Sequence, residues 1–164
     1  MAKGIGTLGT VRQLTIGGED GNWTFPPEDI ANLIVLRAYA AANNHATFRK
    51  MGTSSGYAVT SAKTLTVYAC VFDNILASGA AANGPFMCYA DNDVGQNSGS
   101  ALTNQVYATG EKFSSSIGSS NYSVGGKPVK VTFPFWTIPA GKYPTIEISG
   151  GSGNCIVTLY CLEA

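Results

Sequence analysis

Asp91-Asn92-Asp93 places three oxygen-bearing side chains in one short loop, which is how a calcium site begins. The spacing of an EF-hand and its closing glutamate are missing, so a turn held by its own Asx side chains explains the same residues. His45 is the chain's one histidine, and Ser-His-Asp catalysis would have to run through it. Asn43-Asn44-His45-Ala46 reads as a polar turn between strands, and no GxSxG accompanies it. Glycoside hydrolysis needs two facing carboxylates. Only Glu147 lies in a clear strand pattern, and its alternation with Ile146 and Ile148 points it to solvent. Gly4-Ile5-Gly6-Thr7-Leu8-Gly9 meets the letter of GxGxxG, yet no strand precedes it and no helix follows. Cys70, Cys88, Cys155 and Cys161 show no CxxC spacing and sit inside apolar strand patterns, so they are expected as reduced, buried small hydrophobes. The expectation is a protein with no catalytic residues, no metal site and no cofactor: not an enzyme.

Aromatic residues beside loops are a better basis for function, because they stack on sugar faces or anchor protein partners. Trp23, Phe25, Phe135, Trp136 and Tyr143 are so placed. Phe133 and Phe135 share one strand face and are assigned to the core. Trp136 then falls on the other face, where core packing, a protein contact and a carbohydrate contact all stay open. The first 16 residues form an N-terminal arm or edge strand whose Gly-rich start needs a partner to become ordered. Ile5 and Leu8 are its apolar anchors. The expected partner-contact residues are therefore Ile5, Leu8, Trp23, Phe25, Trp136 and Tyr143.

These residues must be positioned by strands. Lys127 to Ala164 contains three, joined by tight turns: Val129 to Phe135, Thr145 to Ile148 and Cys155 to Leu162, with breaks at Pro139-Ala140-Gly141 and Gly150-Gly151-Ser152-Gly153. Lys63 to Phe72 is β-rich on both faces and predicts a central strand covered on both sides. Further strands are predicted over residues 7–16, Pro85 to Ala90, Ala46 to Met51, Tyr57 to Ser61, Gln105 to Ala108, Glu111 to Phe113 and, in preference to a helix, within Asn32 to Ala42. Gly17 to Phe25 reads as a loop. Pro26-Pro27-Glu28-Asp29-Ile30 starts a helix, with proline early and acids at the positive end of the dipole, and one or two short turns are expected near 27–31. Eight to ten strands predict an all-β fold, an antiparallel two-sheet sandwich of jelly-roll-like form, as one domain over residues 1–164.

Composition bounds the partners. Only 12% of residues are charged, about half the usual share, and ten cations balance ten anions. Gly, Ser, Thr and Asn fill 60 of 164 positions, so the surface is polar but little charged, which favours close packing against neighbours. No basic patch of nucleic-acid-binding kind is present beyond Arg49-Lys50. The N-terminus has no apolar h-region, and runs such as Leu33 to Leu36 are far too short for a bilayer, so no membrane association is expected.

Three stretches together resemble a known family. Val67-Tyr68-Ala69-Cys70-Val71-Phe72 is followed by Gly84-Pro85-Phe86-Met87-Cys88-Tyr89-Ala90-Asp91-Asn92-Asp93-Val94-Gly95. After a Ser-rich crossing comes Val129 to Tyr143 with its Phe-Pro-Phe and Ile-Pro-Ala-Gly-Lys-Tyr. This order is similar to the jelly-roll modules of tailed-bacteriophage virion proteins, in particular capsid decoration (cement) and head-spike proteins. It covers about half of the chain, and residues 1–50 do not match. The resemblance implies a non-enzymatic structural protein, commonly a homotrimer, made in the host cytoplasm and bound to the major capsid protein outside the shell. It carries over no ligand residues. The alternative is a carbohydrate-binding or receptor-binding β-sandwich using Trp136, Tyr143 and the Asp91–Asp93 loop.

Overall fold

The computed structural model describes residues 14–18, 21–41, 44–77, 83–98, 106–107, 130–132, 135–149 and 153–164. In chain order their elements are β1 (Leu14–Gly18), β2 (Gly21–Phe25), α1 (Pro27–Ile30), β3 (Ile34–Ala41), β4 (Asn44–Thr47), β5 (Arg49–Lys50) and β6 (Leu65–Ala77). There follow β7 (Asn83–Ala90), β8 (Gln96–Ser98), β9 (Val106–Tyr107), β10 (Lys130–Thr132), β11 (Trp136–Ile138), β12 (Tyr143–Ser149) and β13 (Gly153–Glu163). All pairings are antiparallel. One sheet runs β10-β6-β13-β3-β5, with β11 continuing β10 against β6; a second runs β8-β4-β12-β7-β9; β1 and β2 form a separate hairpin. The described residues thus form an all-β sandwich with one helical turn, as the period-2 patterns predict.

The core lies between the two larger sheets. Leu36, Leu65, Val67, Ile138, Val157, Leu159 and Cys161 from the first sheet meet Ala46, Phe48 and Ile146 on the β4 and β12 side of the second. Each fully buried Leu, Ile, Val or Phe among them contributes about 1.5–3 kcal/mol relative to exposure. Cys70, Cys88 and Cys161 are buried free thiols, as expected, and burial pushes the pKa of all three up. The side chain of Cys155 lies outside the described ones. Thiol labelling is therefore expected to be slow in native protein and to reach four per chain, the number of cysteines, after unfolding.

Several local expectations are corrected. Gly17 to Phe25 is no loop: β1 and β2 close a hairpin through Gly18↔Gly21, and the Thr15 and Thr24 hydroxyls hydrogen-bond at 2.8 Å. Tyr57 to Ser61 is no strand. Its backbone groups are taken up by scattered partners, Tyr57 N–H donating to the Phe48 carbonyl at 2.8 Å and Val59 N–H to the Lys142 carbonyl at 2.9 Å, which pins Val59 into the core. His45 lies within strand β4 and not in a turn. Residues 1–13 and 111–113 lie outside the described residues, and with them Ile5, Leu8 and the strand expected at Glu111 to Phe113.

Phe135 and Trp136 exchange the positions assigned to them. Trp136 is only 8% exposed and packs in the core opposite Val67, whereas Phe135 is 50% exposed. The cause is the face that β11 turns inward: Trp136 and Ile138 lie opposite the core residues Val67 and Leu65, so the even-numbered residues face the core, and Phe135, at a left-handed φ of 48°, falls outside.

Candidate functional site

Two irregularities lie side by side on β6 and build the most distinctive surface of the sandwich. On one edge of β6, Tyr160 faces Ala69 and Cys161 faces Val67, so Tyr68 is the extra residue of a β-bulge. On the other edge, pairing stops at Thr132↔Cys70 and resumes at Trp136↔Val67, and the left-handed Phe135 fills the gap. Bulges re-aim side chains. Here the bulge and the break bring Tyr68 and Phe135 together, with ring centroids 5.8 Å apart.

The β1–β2 hairpin supplies the other half. Its cross-strand pairs put Leu14, Ile16, Trp23 and Phe25 on one face. Trp23 stacks on Tyr68 at 5.3 Å and meets Phe135 edge-on at 4.8 Å; Phe25 packs edge-on against Tyr68 at 5.7 Å. Phe25 is fully buried, Trp23 and Tyr68 are half-buried, and Phe135 stays open. The indole Nε1 of Trp23 is buried without a hydrogen-bond partner among the described residues. A half-exposed aromatic ring held in a backbone conformation that costs about 1–2 kcal/mol is a feature that tertiary structure must enforce.

The remaining expected residues are distributed differently. Trp136 is core and offers no face to a partner. Tyr143, half-buried at the start of β12, pairs with Ala90 and is not part of the aromatic cluster. In the Asp91–Asp93 loop, Asp93 accepts from the Gly56 N–H at 2.6 Å and the Gly95 N–H at 2.9 Å, while Asp91 pairs with Lys142. Burial works against the Asp93 carboxylate, but those N–H groups, the Thr47 hydroxyl and nearby Arg49 outweigh it and hold its pKa below 3.8. This is the Asx turn that the sequence predicts. No group of three or more His, Cys, Asp or Glu side chains able to share a metal ion occurs among the described residues.

Glu147 does not face solvent: it is 8% exposed and lies directly across from His45, itself 3% exposed. Alternation places Glu147 opposite to Ile146 correctly, but that second face of the sheet is covered too. Burial disfavours the imidazolium and lowers the pKa of His45 from 6.5, and Glu147 pulls it part of the way back. With a folded pKa below the unfolded one, His45 contributes stability that is complete above pH 6.5 and is lost as pH falls toward the folded value. Urea midpoints are therefore expected to fall as pH drops from about 7.5 to about 5. His45→Gln should flatten that limb.

A cleft of about 290 Å³ was not foreseen from the sequence. It runs along the open edge where β3 and β5 approach β4, and Arg37, Arg49 and Lys50 line it. Only the adjacency of Arg49 and Lys50 was visible beforehand; Arg37 joins them because β3 pairs with β5. No family model, curated protein or solved structure matches this chain.

Proposed function

We propose that this protein is a virion structural component, a capsid decoration protein that self-associates, as a homotrimer, and binds the major capsid protein on the outside of a bacteriophage shell. The observation that carries the reading is the aromatic cluster: Phe135 is half exposed beside Trp23 and Tyr68 on the outside of the first sheet. Exposed aromatic anchors backed by packed rings are what interface hot spots are made of. Trp23, expected as a contact residue, belongs to that cluster; Phe25, expected likewise, is fully buried beneath it and offers no face to a partner.

Strand order supports the jelly-roll part of the proposal. β3 and β6 lie in one sheet and β4 and β7 in the other, and the orders β10/β11-β6-β13-β3 and β4-β12-β7-β9 are compatible with two interleaved Greek keys. Jelly rolls serve capsids and lectins alike. The capsid role is favoured because the residues assigned to a glycan site are engaged elsewhere, Trp136 in the core and Asp91 with Lys142.

Phe135→Asn is the informative variant, since asparagine tolerates the left-handed φ while removing the ring. Light scattering of wild type is expected to give three chains of 17.0 kDa, and sedimentation with shells lacking the protein should show co-migration. The variant is expected to lose about tenfold or more in association or shell binding at an unchanged melting temperature. A wild-type protein that stays monomeric at tens of micromolar and ignores shells refutes the proposal.

A further inference from the structure

Arg37 on β3 stands directly opposite Arg49 on β5, and Leu36 opposite Lys50. Like charges facing each other across a strand pair are destabilising, and in a chain of zero net charge with few ions such a pairing is conspicuous. Asp93 compensates only part of it. Its carboxylate acts on Arg49, yet both of its oxygens already accept backbone N–H groups. Lys50 sits 5.1 Å from the Tyr57 ring centroid. Among the described residues no acid lines the cleft, while Tyr39, 42% exposed, and Met51, 66% exposed, form its apolar part.

We infer that this cleft binds a carboxylated sugar residue, with Arg37 and Arg49 taking the carboxylate and Tyr39 and Met51 the sugar ring. Two adjacent guanidinium forks suit a planar carboxylate, which they hold by paired N–H donors. An aromatic ring beside them gives a flat face for the C–H side of a pyranose. Volume decides against a longer occupant: about 290 Å³ is at the small end of ligand pockets and accommodates one ring rather than a peptide segment. The inference stands apart from the capsid proposal, because the cleft and the aromatic cluster share no residue.

The test is a titration of ¹⁵N-labelled full-length protein with methyl glucuronide, with methyl glucoside as the matched neutral sugar and hexaglutamate as the acidic peptide. Saturable shifts at Arg37, Arg49 and Met51 with methyl glucuronide, at a Kd of about a millimolar, are expected, as fits a ligand of this size. Methyl glucoside should bind at least about tenfold more weakly. The double variant R37A/R49A should raise the Kd about tenfold or more with the rest of the spectrum unchanged. R37K/R49K, which keeps the charges and loses the forks, should raise it at least about threefold and serves if the alanine variant is unfolded. Equal binding of the neutral sugar, tighter binding of hexaglutamate, unaltered affinity in the variants, or no saturation by about 50 mM methyl glucuronide each overturns the inference.

Discussion

Trp136→Ala is expected to destabilise the protein by about 3–5 kcal/mol, the range for emptying a large aromatic site in a packed core. Trp136 is 8% exposed, packs with Val67, Ile138 and Leu65 in the central cluster, and opens strand β11. Its indole fills space between two sheets that cannot close over the gap without moving their hydrogen-bonded ladders. For a chain of this size each kcal/mol shifts the melting temperature by about 2–4 °C, so a fall of about 10–15 °C should appear in a thermal scan. A residue acting mainly as a partner contact gives the opposite result, with association weakened and melting of the separated chain unchanged. Paired with Phe135→Asn, the measurement separates core from contact at two neighbouring positions.

Glu163→Ala should cost about 2 kcal/mol, the next largest effect. The Glu163 carboxylate accepts from the Tyr57 hydroxyl and from the Thr60 N–H, each at 2.8 Å. These two bonds hold residues 57–60, which have neither helix nor ladder of their own, against the end of β13. Charge-assisted hydrogen bonds are worth about 1.5–3 kcal/mol, and partial exposure of this group places the sum near the lower end. Burial opposes the carboxylate, but the bonds from Thr60 and Tyr57 and the charge of Lys63 prevail and keep its pKa below 4.5. Its contribution is therefore complete above pH 4.5 and is lost as pH falls through the lower folded value. The gap between wild type and variant, read from urea midpoints, should close in strong acid. Tyr57→Phe should reproduce about half of the loss and combine with Glu163→Ala less than additively.

Where local pattern sufficed, the fold was legible. Thr145 to Ile148, Cys155 to Leu162 and Lys63 to Phe72 alternate or run β-rich, and each forms a strand. Pro26 to Ile30 starts its single turn as proline and acids predict. The pattern misled at Phe135 and Trp136, because a period of two puts neighbours on opposite faces without saying which face is inner, and the core positions of β11 are Trp136 and Ile138, opposite Val67 and Leu65. Nothing local marks the Tyr68 bulge either, since it is defined by what β13 and β11 place beside it.

The candidate surfaces were less legible for the same reason. Trp23 and Phe25 were visible as aromatic residues near loops, but their meeting with Tyr68 and Phe135 spans more than a hundred residues of chain. His45 and Glu147 face each other across the same kind of distance. Glu147 was expected in water because a period of two tells which side of a sheet a residue is on, and not whether that side is covered.

The placement of β13 constrains how the protein comes into being on a ribosome. β13 lies between β6 and β3, at the centre of its sheet, and is synthesised after every other described strand. Roughly 75 residues separate the end of β6 from its start, which at about 5–20 residues per second leaves two long strands waiting several seconds for their shared neighbour. During that interval the facing edges of β3 and β6 carry unpaired N–H and C=O groups and apolar side chains such as Leu36 and Val67. Nascent chains are thus open to strand exchange with one another on polysomes until β13 has emerged. Slow codons upstream of Gly153 should increase aggregation, and fast ones should relieve it.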